Sequence, residues 1–231
     1  MKKIKLKQLI LDVLNEETKR FVNKTTFKKD TLPEMAYPAS FSMEQFNAIK
    51  TYKGKMQYAN QHLQKLANGS SRTIFKIDDE KVLKLAKNEK GLAQNNIETD
   101  FYLSNHTITA NIFESDSLHD RPYWLEMEFA KKLTPTRFKA ITGFTLDEIY
   151  LFLNYIANNK EAKITPELKE KIHDNEFVNN LEDMAISMDM PIPGDLARLS
   201  TYGEVIRDGK PTVVVIDYGL TKDVFNNYYA R

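Results

Sequence analysis

Between residues 72 and 86, "RTIFKIDDEKVLKLA", apolar and polar positions alternate with the two-residue period of a half-buried strand. Asp78-Asp79 breaks the alternation, which predicts two strands around a tight turn, with Ile74/Lys76 and Val82/Lys84 in alternating positions. The period then changes. "KGLAQNNIETDFYLSN" reads as a helix with Leu92, Ile97, Phe101 and Tyr102 as its apolar face. "ANIFESD" and "PYWLEMEFA" predict two more strands, and "LDEIYLFLNYIANN" and "NEFVNNLEDMAISM" predict helices. "PIPGDLARLS" reads as a loop, and "YGEVIRDGKPTVVVIDYG" as a hairpin about an Asp208-Gly209 turn.

Upstream, residues 1–57 read as a polar, lysine-rich extension, in which "DTLPEMAYPAS" is irregular connecting chain. Leu6, Leu9, Ile10, Val13 and Leu14 recur at helical spacing, predicting an amphipathic helix. The start is basic and then apolar, like a signal peptide, but Asp12 interrupts the run and no small-residue cleavage site follows. "MQYANQHLQKLANG" predicts a helix or approach segment ending at Asn68-Gly69. The divisions are 1–57, 58–130 and 131–231, without an internal repeat.

At 231 residues with a hydrophobic fraction of 42%, the chain can bury a core. Lys+Arg (33) and Asp+Glu (32) nearly cancel, so nucleic-acid binding driven by phosphate neutralisation is not expected. The absence of cysteine excludes disulfides, thiolate metal sites and cysteine nucleophiles, and fits a reducing compartment. The histidines His62, His106, His119 and His173 lie too far apart for a metal-ligand pair. No stretch approaches the ~18 apolar residues of a membrane span.

Four polar positions stand out against this background. Lys84 lies mid-strand between Leu83 and Leu85 and points away from both. Glu98 on the next helix is a candidate partner for it. Asp195 sits in the loop and Asp217 where the strand "VVVID" ends, so a hairpin joins two acids able to converge on one cleft. One acid can orient a hydroxyl while the other holds Mg2+. Ahead of the first strand, "NGSSRTIF" supplies Gly69, Ser70 and Ser71, small residues of the kind that admit phosphate oxygens to backbone amides. Each has an ordinary alternative as turn residue, helix cap or solvent-facing strand lysine.

In this order, "NGSSRTIF", "KVLKLAK", "NNIETDF", "YWLEMEFA", "PGDLARLS" and "VVVIDYGL" resemble the motif series of protein-kinase-like proteins, of the small prokaryotic and phage type. The resemblance spans about residues 60–222, with Asp-Tyr-Gly in place of Asp-Phe-Gly. It implies an α+β, two-lobed fold: an N-terminal helical extension (1–57), an antiparallel-sheet N-lobe with hinge (58–130) and a reduced, mainly helical C-lobe (131–231). It implies ATP and Mg2+ as cofactors and a phosphotransferase activity on an unidentified small-molecule or protein hydroxyl. Gly69, Ser70 and Ser71 would cover the phosphates. Lys84 would contact them and pair with Glu98. Glu126, Glu128 and Phe129 would line the adenine-binding hinge. Asp195 would orient the acceptor, and Asp217, with Ser200, would bind the metal.

The chain also departs from the pattern. Ser200 stands where the family carries a metal-binding Asn, Pro193 where it usually has His, and the loop has one glycine instead of three. Little chain follows Gly219, so peptide recognition in the usual manner is not expected. These departures keep an alternative open, a catalytically inactive pseudokinase serving as a structural or interaction protein, such as a phage virion or host-interaction component. The extension suits docking to a larger assembly. The expected setting is the cytoplasm of a bacterial or phage-infected cell, or a virion.

Overall fold

The computed structural model describes residues 37–102, 107–157 and 164–230. The amphipathic helix expected at Leu6–Leu14 and the side chains of Phe101 and Tyr102 lie outside the described residues. The compact body begins at Tyr37, some way ahead of the expected boundary near residue 57.

Two helices open it, α1 (Met43–Ala48) and α2 (Tyr52–His62), each capped by a hydroxyl, Ser42 or Thr51, that accepts a first-turn N–H. Five antiparallel strands follow in the spatial order β1-β2-β3-β5-β4: β1 (Gln64–Asn68), β2 (Arg72–Lys76), β3 (Lys81–Ala86), β4 (Ile112–Ser115) and β5 (Trp124–Glu128). Helix α3 (Glu89–Tyr102) runs between β3 and β4. Where a helix or approach segment was expected to run to Asn68, the helix stops at His62 and Gln64–Asn68 pairs with β2. All five residues of β1 are exposed, so this edge strand carries no burial pattern to betray it.

Register divides the sheet into two faces. Ile74, Lys84 and Leu125 lie side by side, as do Lys76, Val82 and Met127, and this face turns toward α3 and the rest of the body. Phe75, Leu83, Leu85 and Trp124 form the opposite face and pack under Phe41, Phe46, Ala59 and Leu63 of the leading segment. Residues 37–63 are therefore a cover for the sheet, which their polar composition concealed.

Beyond β5 come β6 (Lys131–Lys132), α4 (Pro135–Thr142), α5 (Leu146–Ile156), α6 (Pro166–His173) and α7 (Glu176–Ser187). Two 3-10 turns, Gly194–Ala197 and Leu199–Thr201, lead into the hairpin β7 (Tyr202–Arg207) and β8 (Lys210–Val215), and α8 (Lys222–Tyr228) closes the described chain. The hairpin turns as expected at Asp208 and Gly209, both at positive φ (52° and 76°), as a type I′ turn requires. Its unpredicted third partner is β6, which pairs with β7. Helix α5 begins with a capping box, Thr145 and Glu148 each accepting the other's backbone N–H. The architecture is the α+β arrangement expected: an antiparallel sheet with one helix, then a mainly helical part.

Candidate active site

Strand β3 delivers Lys84 to the α3 face, and α3 delivers Glu98 to meet it. Lys84 Nζ lies 2.6 Å from Glu98 Oε2 and also donates to the Ile216 carbonyl at 3.0 Å. The other oxygen, Glu98 Oε1, accepts the backbone N–H groups of Tyr218 (3.2 Å) and Gly219 (3.1 Å). One fully buried carboxylate thus gathers the strand lysine and the Asp217-Tyr218-Gly219 segment.

A residue that the sequence reading passed over completes the cluster. Arg72, at the head of β2, places Nη1 2.9 Å from Glu98 Oε1 and pairs through Nη2 with Asp217 Oδ1. Asn95 Oδ1 also accepts from Nη1 at 3.4 Å, while its amide nitrogen donates to the Pro122 carbonyl at 3.0 Å. The signal was present in the alternation of "RTIFKI", which puts Arg72 on the same face as Ile74 and so on the face of Lys84. Only 5% of the Arg72 side chain and 4% of Lys84 are exposed, whereas 53% of Asp217 is.

Burial works against the charge on Arg72, but Glu98 and Asp217 outweigh it and hold the guanidinium charged. Burial, and next the adjacent Arg72, pull the Lys84 ammonium below the ordinary lysine range against the opposing pull of Glu98. What burial Asp217 has resists ionisation, but the side chain is half open to water, and Arg72 and then Lys84 outweigh that burial and hold its carboxyl below the usual carboxylate range.

The small-residue loop is tied down from behind. Gly69 N–H donates to the Arg72 carbonyl at 2.9 Å, Lys87 Nζ donates to the Gly69 carbonyl at 2.7 Å, and Asn88 donates to the Ser70 carbonyl at 3.1 Å. Gly69 and Ser70 are exposed. Ser71 is not: its buried hydroxyl donates to Gln94 Oε1 at 2.6 Å, so it anchors the loop to α3 instead of presenting a phosphate donor.

The expected hinge side chains also point elsewhere. Glu126 lies across from Leu83 on the outer face, where it accepts the Tyr37 hydroxyl at 2.5 Å. Glu128 pairs with Arg207 at 2.6 Å and accepts the Asn111 N–H at 3.0 Å. Strand alternation explains both, because Leu125 and Met127, on either side of Glu126, take the inner positions. Phe129 packs partly against the main core, and its N–H donates to the Glu80 carbonyl at 2.6 Å.

Asp195 sits half-buried on the first 3-10 turn, with Oδ1 3.1 Å from Arg198 Nη1. Its carbonyl accepts the Thr201 hydroxyl at 2.6 Å, and the Thr201 carbonyl accepts the Ile216 N–H at 2.8 Å. The Asp195 loop is thereby moored to the residue that precedes Asp217. The Tyr202 hydroxyl steadies the same turn by donating to the Leu196 carbonyl at 2.5 Å.

The residues expected to hold Mg2+ do not fit it. Asp217 is already neutralised by Arg72, and Ser200 is exposed on the Leu199–Thr201 turn. Among the described residues, no group of three or more His, Asp or Glu side chains is placed to hold a metal ion. Two cavities, of about 560 and 550 Å³, lie away from the cluster, one lined by α3, Arg121 and α8 and the other beside the β7–β8 turn. No described helix is long and apolar enough to cross a membrane.

No family model matches the chain, and no curated protein matches it. Among solved structures, the chain is similar to the streptomycin–ATP complex of APH(2")-IIa at 13% identity and TM-score 0.32, covering 74% of this chain and 71% of that one. A GDP complex of an aminoglycoside 2'-phosphotransferase-IIIa mutant gives 15% identity and TM-score 0.37, with 71% and 68% covered. ADP-bound aminoglycoside phosphotransferase APH(2'')-Ib gives 15% and 0.31, with 71% and 69% covered. At such scores the likeness is loose, and the chemistry of the site is read from the chain's own geometry.

Proposed function

We propose that this chain is a nucleotide-dependent phosphotransferase of the protein-kinase-like kind, acting on a hydroxyl of an unidentified small molecule or protein. The observation that carries the reading is Glu98. A strand lysine and the backbone of an Asp-aromatic-Gly segment meet on one buried helix glutamate, the pairing that positions nucleotide phosphates in this class of enzyme.

In this reading Lys84, held by Glu98, contacts the phosphates of ATP, and Gly69 and Ser70 pass over them. Asp195 takes the proton of the acceptor hydroxyl as its oxygen attacks the γ-phosphorus and the bond to the β-phosphate breaks. Its half-buried carboxylate and its mooring through Thr201 support that role. Catalysis then rests on positioning and on fixed charge, with no covalent enzyme intermediate.

Incubation with γ-labelled ATP tests it. Labelled inorganic phosphate or self-labelled protein is expected, lost in Asp195→Ala, while ATP still raises the Tm of that variant. Undiminished transfer by Asp195→Ala would remove its assigned role. Absence of any ATP-dependent Tm shift in the unaltered chain would sink the reading.

A further inference from the structure

The Arg72 contact changes what the site asks of a metal. In the expected arrangement Asp217 is an unpaired carboxylate awaiting a divalent cation. Here Arg72 and Lys84 supply two positive charges to the two negative charges of Glu98 and Asp217, so the cluster is neutral as it stands. The guanidinium reaches both carboxylates at once, one through each terminal nitrogen. An arginine keeps its proton at any working pH, and its planar fork suits such bridging. A dication at the half-exposed Asp217 would have to displace Arg72 from it or sit against a guanidinium that is only 5% exposed, where added positive charge is costly.

We propose that Arg72 is an internal cation standing in for the divalent ion at Asp217, so that this chain binds the polyphosphate of a nucleotide without a divalent metal. The inference rests on the nucleotide-binding reading above for its ligand, and on the Arg72–Asp217 pair for its content. The phosphates meet a site whose carboxylates are already answered, and Asp217 neither repels them nor needs Mg2+ to approach them.

The test is thermal denaturation of the full chain with millimolar ATP, in EDTA and in excess Mg2+. The two Tm shifts are expected to be equal in the unaltered chain. In Arg72→Gln the shift in EDTA is lost and Mg2+ restores it, because Asp217 is again open to a metal. A shift in the unaltered chain that needs Mg2+ overturns the proposal by itself, whether or not the variant folds. If ATP produces no shift under either condition, the nucleotide reading fails and a metal-only arm decides this one. Mn2+ without nucleotide should leave the unaltered chain unmoved and stabilise Arg72→Gln, or Arg72→Met if the glutamine variant does not fold. Stabilisation of the unaltered chain by Mn2+, or none of the variant, refutes the substitution of arginine for metal.

Discussion

Lys84 and Glu98 meet at 2.6 Å in a site where neither side chain is more than 4% exposed. A buried pair of this kind adds little stability by itself, because desolvation offsets the attraction, but removing one partner strands the other. Glu98 compensates two cations, Lys84 and Arg72, and accepts two backbone N–H groups. Glu98→Ala is therefore expected to cost about 3–5 kcal/mol in denaturant titration. Glu98→Gln should cost less, since an amide oxygen still accepts from Tyr218 and Gly219. Equal stability of the alanine variant and the unaltered chain would show that the cluster is not closed in solution.

The glycine of Asp-Tyr-Gly invites explanation as strand punctuation, yet the structure gives it a packing role. A Cβ at Gly219 would lie 2.5 Å from the Gln94 carbonyl, and one at Gly91 would lie 2.3 Å from the Ser71 carbonyl. Both permit close approach of backbone to α3. Gly69, the glycine of the loop, would meet nothing nearer than 3.5 Å. Gly219→Ala and Gly91→Ala should each destabilise by about 1–3 kcal/mol, as overpacking does. Gly69→Ala should stay within about 0.5 kcal/mol. A reversed order in urea midpoints would contradict the packing.

Strands β2 to β5, the main helices and the Asp208-Gly209 hairpin were legible because their periods are clean and the hairpin turn carries the residues that positive φ demands. Lys84 and Glu98 were legible for the same reason, since strand alternation fixes the face of one and chain order supplies the other. Arg72 was missed although it obeys the same alternation, because an arginine opening a strand reads as an exposed edge. The side chains of Ser71, Glu126 and Glu128 are turned to other partners. Motif order says which residues are near a site but not which way each side chain points, and pleating sends Glu126 to the outer face. The cover formed by residues 37–63 was invisible because its buried residues are scattered among polar ones and acquire meaning only against the sheet.

Two carboxyls titrate in opposite senses. Asp217 is held below the usual range, so its contribution is present above the unfolded-state value, about pH 4, and is lost as pH falls through its folded value. Glu126 is pushed up, mainly by burial and against the hydrogen bond from Tyr37. Its folded form keeps a proton that the unfolded chain releases, so stability falls as pH rises above about 4.3 toward its folded value. Asp217→Asn should flatten the acid limb of a stability–pH profile, and Glu126→Gln the limb just above it. If each substitution altered the other's limb, the assignments would be reversed.

Covering the outer face of the sheet depends on Phe46 and Lys55. Phe46 is fully buried among Phe41, Tyr58 and the outer-face residues, with its ring centroid 5.4 Å from that of Phe41. Lys55 is buried, and its hydrogen bonds among the described residues go to backbone carbonyls and not to a carboxylate. Its ammonium donates to the Phe46 carbonyl at 2.8 Å, near the end of α1, and lies 4.6 Å from the centre of the Phe46 ring. The lysine thus completes a helix end and caps an aromatic face at once. Phe46→Ala is expected to cost about 3–5 kcal/mol through the cavity it leaves. Lys55→Met, which keeps the stem but leaves the Phe46 carbonyl with only the Ile49 N–H at 3.3 Å, should cost about 0.5–1.5 kcal/mol. Because this cover lies on the face opposite Lys84, the loss should appear in the urea midpoint while ATP still raises the Tm of the folded fraction. A Lys55→Met chain as stable as the original would mean that α1 and α2 are not docked on the sheet.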